Sequence, residues 1–261
     1  MQIATWNVNS IRSRLTHVTD WLTANPVDVL CLQETKVQDA DFPLAAIQAV
    51  DYQAHISGQK SYNGVAMLCR QPLEDVSLGF TPIVGADAVG DLDDQKRVMT
   101  GVLDGVRLVN LYVPNGSAIS SEKYDYKLRW LGVLQTYLQT LLADNDQLLV
   151  CGDFNIALED RDIHDPKGKD THIMSSPTER ETLTQVLSMG LQDAFRKFTE
   201  EGGHFSWWDY RAASFSRNRG WRIDHHYLSP TLYERAKSCT IDIAPRRLEK
   251  PSDHTPVIVE I

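Results

Sequence analysis

The residues of this chain that could do chemistry stand where strands run out. In LLVCGDFNIA, Leu148 to Ala157, an apolar run breaks at Gly152 and is followed by Asp153 and Asn155. The same ending recurs elsewhere. IATWN closes on Asn7, VLCLQE on Glu34, RLVNLY on Tyr112 and WRID on Asp224, while PSDH sets Asp253 and His254 just ahead of the last apolar run. Strand ends are where side chains leave a core and loops build sites, so residues distant in sequence can meet there in one cleft. The set is rich in carboxylate and amide oxygens, holds no thiolate and has only one well-placed imidazole. Such donors suit a hard cation, magnesium or manganese, far better than zinc. A hard cation meets phosphate. With a carboxylate to position water and an Asp-oriented His, the chemistry reads as phosphodiester or phosphomonoester hydrolysis.

The elements that must deliver these residues read as short apolar or β-branched runs alternating with helical patterns. QIATWN, VDVLCLQE, NGVAMLCR, VRLVNLYV, QLLVCGD, WRIDHHYLS and PVIVEI are the strand candidates. From about Glu122 to Leu142, a stripe of Leu128, Leu131, Leu134, Leu138, Leu141 and Leu142 marks one face of a long helix. A second helix opens at SPTER, with Ser176 as N-cap, Pro177 as first helical residue and Glu179 completing a capping box; Gly190 closes it. The mixture favours sheets with helices packed outside over a bundle or an all-β sandwich. Asp153 and Asn155, two apart on an extended segment, are expected to point to the same side.

At 261 residues, 42% hydrophobic and 23% charged, the chain can bury a large core and is not of disordered composition. No linker, low-complexity tract or repeat divides it, so residues 1–261 are expected to form one domain. Met1 runs into IATWN without a basic flank and signal-length apolar segment, and no apolar run approaches the ~20 residues that span a bilayer. A cytoplasmic protein without membrane attachment is expected. Cys31, Cys69, Cys151 and Cys239 are widely spaced with no Cys-x-x-Cys pair, which fits buried free thiols. The net charge of -9 weighs against a nucleic-acid partner, yet the charge is uneven. RAASFSRNRGWR carries Arg211, Arg217, Arg219 and Arg222 with no acid, and DAVGDLDD carries Asp87, Asp91, Asp93 and Asp94 with no base. An acidic rim with one basic, aromatic-flanked stripe is compatible with a polyanion.

Each feature also has a plainer reading. A single Asp or Asn after a strand is most often a turn residue or helix cap. His225 and His226, adjacent on a strand, point to opposite faces, so at most one could reach a site, and both read as structural. PKGKDT, Pro166 to Thr171, lacks the glycine spacing of a phosphate loop and reads as a solvated loop. NGS at Asn115 matches a glycosylation acceptor, but a chain without a signal peptide should not meet that machinery.

The ordered blocks ATWNVNSIRSRL, LCLQETKV, YNGVAML, LYVPNGS, GDFNIA, FSWWDYR, WRIDHHYLS and PSDHTPV, spread from Met1 to Ile261, resemble the signature segments of the exonuclease III family of DNA-repair nucleases, within the endonuclease/exonuclease/phosphatase superfamily. GDFN and SDH are shared across that superfamily, phosphoinositide phosphatases and sphingomyelinases included. WNVNSIR, LQETK, WWDYR and WRID are narrower and point to the DNA-repair branch. The resemblance implies a four-layer α/β sandwich of DNase I type: two mainly antiparallel sheets packed face to face, helices outside, and the site at one edge of the pair. It also implies roles. Glu34 is the principal metal ligand with Asn7 beside it. Asp153 orients and deprotonates the attacking water, assisted by Asn155, and both lie within reach of the metal. Tyr112 contacts the scissile phosphate. His254, held by Asp224, stabilises developing charge, and Asp253 serves a second metal position or the water network. Trp207, Trp221 and Ile223 surround a pocket for a base-less sugar, with Arg211, Arg222 and Asn115 as DNA contacts. Trp221, preceded by Gly220 and flanked by Arg219 and Arg222, is expected at a DNA-facing loop edge, and Trp208 in the core.

The implied activity is magnesium-dependent, with manganese as a substitute. It comprises 3'-to-5' exonuclease on double-stranded DNA, cleavage 5' of abasic sites and removal of 3'-blocking groups, at nicks and 3' ends, by a monomer. The loop Asp162–Ser176 varies among relatives, so its contacts are not carried over. Acidity implies modest affinity for undamaged DNA that falls quickly with salt. Two other classes compete. A phospholipid or small-molecule phosphoesterase is disfavoured by WWDYR and WRID, and a catalytically dead DNA-binding module by the intact catalytic positions.

Overall fold

A computed structural model describes residues Met1–Ile261. Strands β1 (Gln2–Asn7), β2 (Val29–Gln33), β3 (Gln53–Ser57), β4 (Val65–Cys69), β11 (Ser238–Ile241) and β12 (Val257–Glu260) form one six-stranded sheet, in the order β11-β12-β1-β2-β4-β3. Strands β5 (Glu74–Leu78), β6 (Val98–Leu103), β7 (Val106–Tyr112), β8 (Leu148–Asp153), β9 (Gln192–Asp193) and β10 (Asp224–Leu228) form the other, in the order β5-β6-β7-β8-β10-β9.

Alternation along the central strands builds the layers. In β8, Leu149 and Cys151 point into the core between the sheets, while Leu148 and Val150 point outward under the helices Glu122–Asp144 and Pro177–Leu187. In β2, Val29 and Cys31 face the other sheet, whereas Leu30 and Leu32 face the helix Leu15–Ala24 through Val18, Trp21 and Leu22. The result is helix, sheet, sheet, helix. Because both faces of these strands are covered, they read as unbroken apolar runs. No helix is long and apolar enough to cross a membrane.

The sheets are mainly antiparallel, as expected, but each has one parallel pair at its centre: β1 with β2, and β7 with β8. The crossovers carry the helices Leu15–Ala24 and Glu122–Asp144. Parallel strands finish at the same edge. Asn7 and Gln33 therefore stand in register at the end of one pair, and Tyr112 and Asp153 at the end of the other. Strands β10 and β12 run antiparallel to β8 and β1, so their beginnings arrive at that edge, with Asp224 opposite Asp153.

Polar contacts inside the seam fix one sheet against the other. Gln33 Nε2 donates to Asn110 Oδ1 at 2.7 Å and to Thr5 Oγ1 at 2.9 Å, and Asn110 Nδ2 donates to the carbonyls of Leu32 and Ala66 at 3.0 and 2.9 Å. The four cysteines are free and buried. Ser176 and Glu179 form the expected capping box, ahead of a helix that ends at Leu187.

Candidate active site

Glu34 leaves β2 with φ at 51°, left-handed backbone that turns it out of the strand's alternation. The buried Asn7 amide donates to Glu34 Oε1 and to Asp153 Oδ2, each at 2.9 Å, so one nitrogen joins a carboxylate from each sheet. Its oxygen accepts from Asn9 N at 3.0 Å. Asn7 is thus a clamp between the two carboxylates, standing beside Glu34 as expected. Lys36 ion-pairs with Glu34 at 2.8 Å and donates to Asn9 Oδ1 at 2.5 Å. Burial would raise the Glu34 pKa, but the charge of Lys36 and hydrogen bonds from Asn7 and Lys36 outweigh it and hold the carboxyl below its usual range.

Asp153 sits deeper, and Asn155 reaches it by a route the sequence misrepresents. Asn155 has φ at 50°, so the segment is a turn and not the extended stretch expected. Its main-chain N donates to Asp153 Oδ1 at 2.9 Å and its Nδ2 to Oδ2 at 3.2 Å. Convergence comes from this side-chain-closed turn, not from strand alternation. Left-handed backbone at Glu34 and Asn155 costs on the order of 1–3 kcal/mol each, a strain characteristic of functional sites. Burial, followed by the nearby charges of Asp224 and Glu34, raises Asp153 to about 7 against the opposing pull of His254 and Asn7.

His254 faces Asp153 across the site, its Nε2 3.7 Å from Asp153 Oδ2, and its Nδ1 meets Asp224 at 2.9 Å. Burial alone would lower its pKa, but Asp224 and Asp153 overcome that and lift it to about 10, so the ring is an imidazolium at neutral pH. Asp153, Asp224 and His254 could together hold a metal by proximity. Asp224 and His254 are already bonded to each other, however, and a protonated ring has no free lone pair for a cation. Carboxylate oxygens of Glu34 and Asp153 are the better donors for a hard ion, and Glu34 remains 19% exposed, open to a partly hydrated one. Tyr112 stacks under the Arg97 guanidinium at 4.3 Å, and burial together with the Glu34 charge keeps its hydroxyl protonated far above its ordinary pKa.

The remaining assignments divide. Asp253 accepts from Trp207 Nε1 and Asn9 Nδ2, both at 3.0 Å, so its carboxylate ties the loop of Trp207 to that of Asn9. Trp207 and Trp221 pair through their main chains and pack edge to face, centroids 6.5 Å apart, over an apolar cluster of Ile223, Ala157, Ile163 and Met174. Trp208 is core, 2% exposed. Asn115 belongs with the catalytic amides, donating to Asn155 Oδ1 at 3.0 Å. Arg211 is exposed. Arg222 overturns its expectation as a DNA contact: it is 1% exposed and bound to Asp162 at 2.7 Å and Asp193 at 2.6 Å. Asp162 and Asp193, far off in sequence, turn it inward. His225 and His226 are structural, donating through Nε2 to the carbonyls of Ile156 and Val257, each at 3.0 Å. PKGKDT is a largely solvated loop.

Sequence reasoning missed Arg97, Lys36 and the pocket residues Ile163 and Met174. Arg97 left a faint signal, as a charge directly before the apolar strand β6. Ile163 and Met174 lie in the loop Asp162–Ser176, where no periodicity marks an inward side chain.

Comparison with known proteins bears on this geometry. Residues 4–254 match the Endonuclease/Exonuclease/phosphatase family. Exodeoxyribonuclease III of Haemophilus influenzae is 34% identical over 100% of this chain and 99% of its own. The solved 3' phosphatase NExo from Neisseria, bound to a product DNA hairpin, superposes with a TM-score of 0.95 at 40% identity, covering 100% of this chain and 99% of that one. An AP endonuclease from Archaeoglobus fulgidus superposes with a TM-score of 0.93 at 39% identity, with the same coverage of 100% and 99%.

Proposed function

This chain belongs to the Endonuclease/Exonuclease/phosphatase family, and from that premise we propose that it is a magnesium-dependent DNA-repair phosphodiesterase. It trims 3' ends of double-stranded DNA, removes 3'-blocking groups including phosphate, and cleaves 5' of abasic sites. The observation that carries this reading is the Asn7 amide spanning Glu34 and Asp153, with the Asp224–His254 pair 3.7 Å beyond. That arrangement sets a metal-type carboxylate, a base and a fixed cation side by side at one edge of the sheets.

Glu34 and Asp153 fit a hard divalent ion by donor chemistry, and magnesium, or manganese in its place, would supply Lewis-acid stabilisation of the phosphate charge. Asp153 takes the proton of a water as its oxygen attacks phosphorus and the bond to the leaving oxygen breaks. A carboxyl whose pKa lies near neutrality is well matched to that task. Asn155 and Asn7 hold the carboxylate in place. His254, charged and oriented by Asp224, and the protonated Tyr112 hydroxyl face the phosphate oxygens as charge builds. Trp207, Trp221 and Ile223 form the wall for a sugar that has lost its base. The exposed Arg211, Arg217 and Arg219 supply backbone contacts on an otherwise acidic protein. Residues 1–261 act as one catalytic unit, with the site built from strand ends spread from Asn7 to His254, and as a monomer.

The decisive experiment incubates the protein with magnesium, with manganese or with chelator on three duplexes: nicked with 3'-hydroxyl, nicked with 3'-phosphate, and abasic. Metal-dependent release of nucleotides or phosphate and incision 5' of the abasic site are expected. Turnover of phospholipid but no DNA substrate would overturn the reading. Trp221→Ala should lower the ratio of abasic to undamaged cleavage with little change in melting temperature. An unchanged ratio with a large drop in melting temperature would return Trp221 to a packing role.

A further inference from the structure

The helix Glu122–Asp144 buries a lysine on its inner face. Lys127 is 0% exposed, as is its partner Glu179. An ammonium has three N–H groups to satisfy. Those of Lys127 reach Glu179 Oε1 at 2.5 Å, the carbonyl of Asn155 at 2.8 Å and the carbonyl of Asn115 at 3.3 Å. The two carbonyls belong to the asparagines whose side chains lead to Asp153: Asn115 Nδ2 donates to Asn155 Oδ1 at 3.0 Å, and Asn155 Nδ2 to Asp153 Oδ2 at 3.2 Å. Glu179 is itself held from the far side by Met174 N, Ser176 N and Ser176 Oγ, at 3.0, 3.1 and 2.7 Å. The loop of Asn115 also rests on the lysine stem, since a Cβ at Gly116 would lie 3.3 Å from Lys127 Cδ.

Stability alone is a weak reason for such a pair. Desolvating two charges cancels much of their attraction, and well-packed apolar residues in their place are often as stable. Apolar residues could not hold the main chain of two turns at once. We propose that Lys127 is a positioning residue for the hydrolysis proposed above: its ammonium fixes the backbone at Asn115 and Asn155 and thereby aims the Asn115 amide at Asn155 and the Asn155 amide at Asp153, with Glu179 as a counter-ion anchored in the cap of the helix Pro177–Leu187. Burial presses the Lys127 pKa down, and the Glu179 carboxylate opposes that loss of charge. The inference rests on the phosphodiesterase reading. In the competing view, the pair merely joins two helices.

Two variants separate these views. Lys127→Arg keeps the charge and a partner for Glu179, but a guanidinium nitrogen carries at most two N–H groups, fixed in one plane, so no single nitrogen can serve Glu179 and both carbonyls as the ammonium does. Lys127→Met combined with Glu179→Gln removes both charges and keeps one oxygen to accept from Ser176 N in the helix cap, at the loss of the bond from Met174 N. For each, single-turnover rate on abasic and 3'-phosphate duplexes, DNA affinity and melting temperature are measured in magnesium. The rate should fall about tenfold or more while DNA affinity stays within about twofold, and Lys127→Arg should melt close to wild type. A folded variant with wild-type rate, or a loss confined to DNA affinity, overturns the proposal. Should the double variant fail to fold, Lys127→Arg decides alone. Wild-type protein inert on every DNA substrate would remove the phosphodiesterase reading itself, and the positioning role with it.

Discussion

Glu34 and Asp153 are carboxylates at the ends of equivalent strands in opposite sheets, joined through one amide nitrogen, and their environments push them apart. Glu34 keeps 19% of its side chain exposed and has Lys36 beside it, which holds it ionised. Asp153 is 1% exposed, has acidic neighbours and rises to about 7. The difference supports the roles proposed for them: a carboxylate that stays charged and wet suits a metal, and one poised near neutrality suits proton transfer. Chemical identity did not distinguish the two. Depth below the rim did.

The largest effect expected is for Asp153→Asn, which removes the base while leaving a side chain of the same shape. Chemistry should slow about a thousandfold, DNA should still bind, and added metal should not help. Wild-type single-turnover rates would take Asp153 out of the mechanism. Glu34→Gln should cost about a hundredfold at low magnesium and recover in part at high magnesium, as loss of a charged ligand requires. If metal instead rescues Asp153→Asn and leaves Glu34→Gln unmoved, the two roles are exchanged.

Titration sharpens the same contrast. The active form of Asp153 is the carboxylate, so the rate should fall about tenfold per pH unit below its pKa near 7, while a bound cation favours that carboxylate. Raising magnesium should therefore shift the acid limb of kcat/KM to lower pH, and a limb fixed at every magnesium concentration would separate the base from the metal. His254, raised to about 10, should keep its proton until the alkaline limb. Both limbs belong to Asp153 and His254 as an interacting pair. The smallest effect is that of Arg211→Ala, which touches neither carboxylate. DNA affinity should weaken a few-fold, with a salt slope shallower by about one and kcat unchanged.

Much of the site was legible because its residues end strands buried on both faces. The candidates that sequence supplied correspond to β1, β2, β4, β7, β8, β10 and β12. The strands β11, β3, β5 and β9 escaped, and they are the four sheet edges, where exposure breaks the apolar pattern. Interior β6 escaped as well, its run interrupted by Thr100 and Gly101. The failures inside the site have one physical cause. Arg222 looked like part of a basic stripe and Asn155 like strand. Each is decided by a partner distant in sequence or by a turn, which local pattern does not carry. Lys127 hid for the same reason: it interrupts an otherwise apolar helix face, and only Glu179 and the two carbonyls explain it.

The hydrogen bonds of Gln33 with Asn110 and Thr5 also bear on how the molecule assembles. Gln33 directly precedes Glu34, and Asn110 lies two residues before Tyr112, so the bond that docks the sheets also sets the spacing of the catalytic edge. Sheets docked one residue out of step would press these amides against aliphatic neighbours with their hydrogen bonds unmade, at about 1–3 kcal/mol for each unsatisfied group. Misdocked folding intermediates are therefore penalised by the same atoms that complete the catalytic edge.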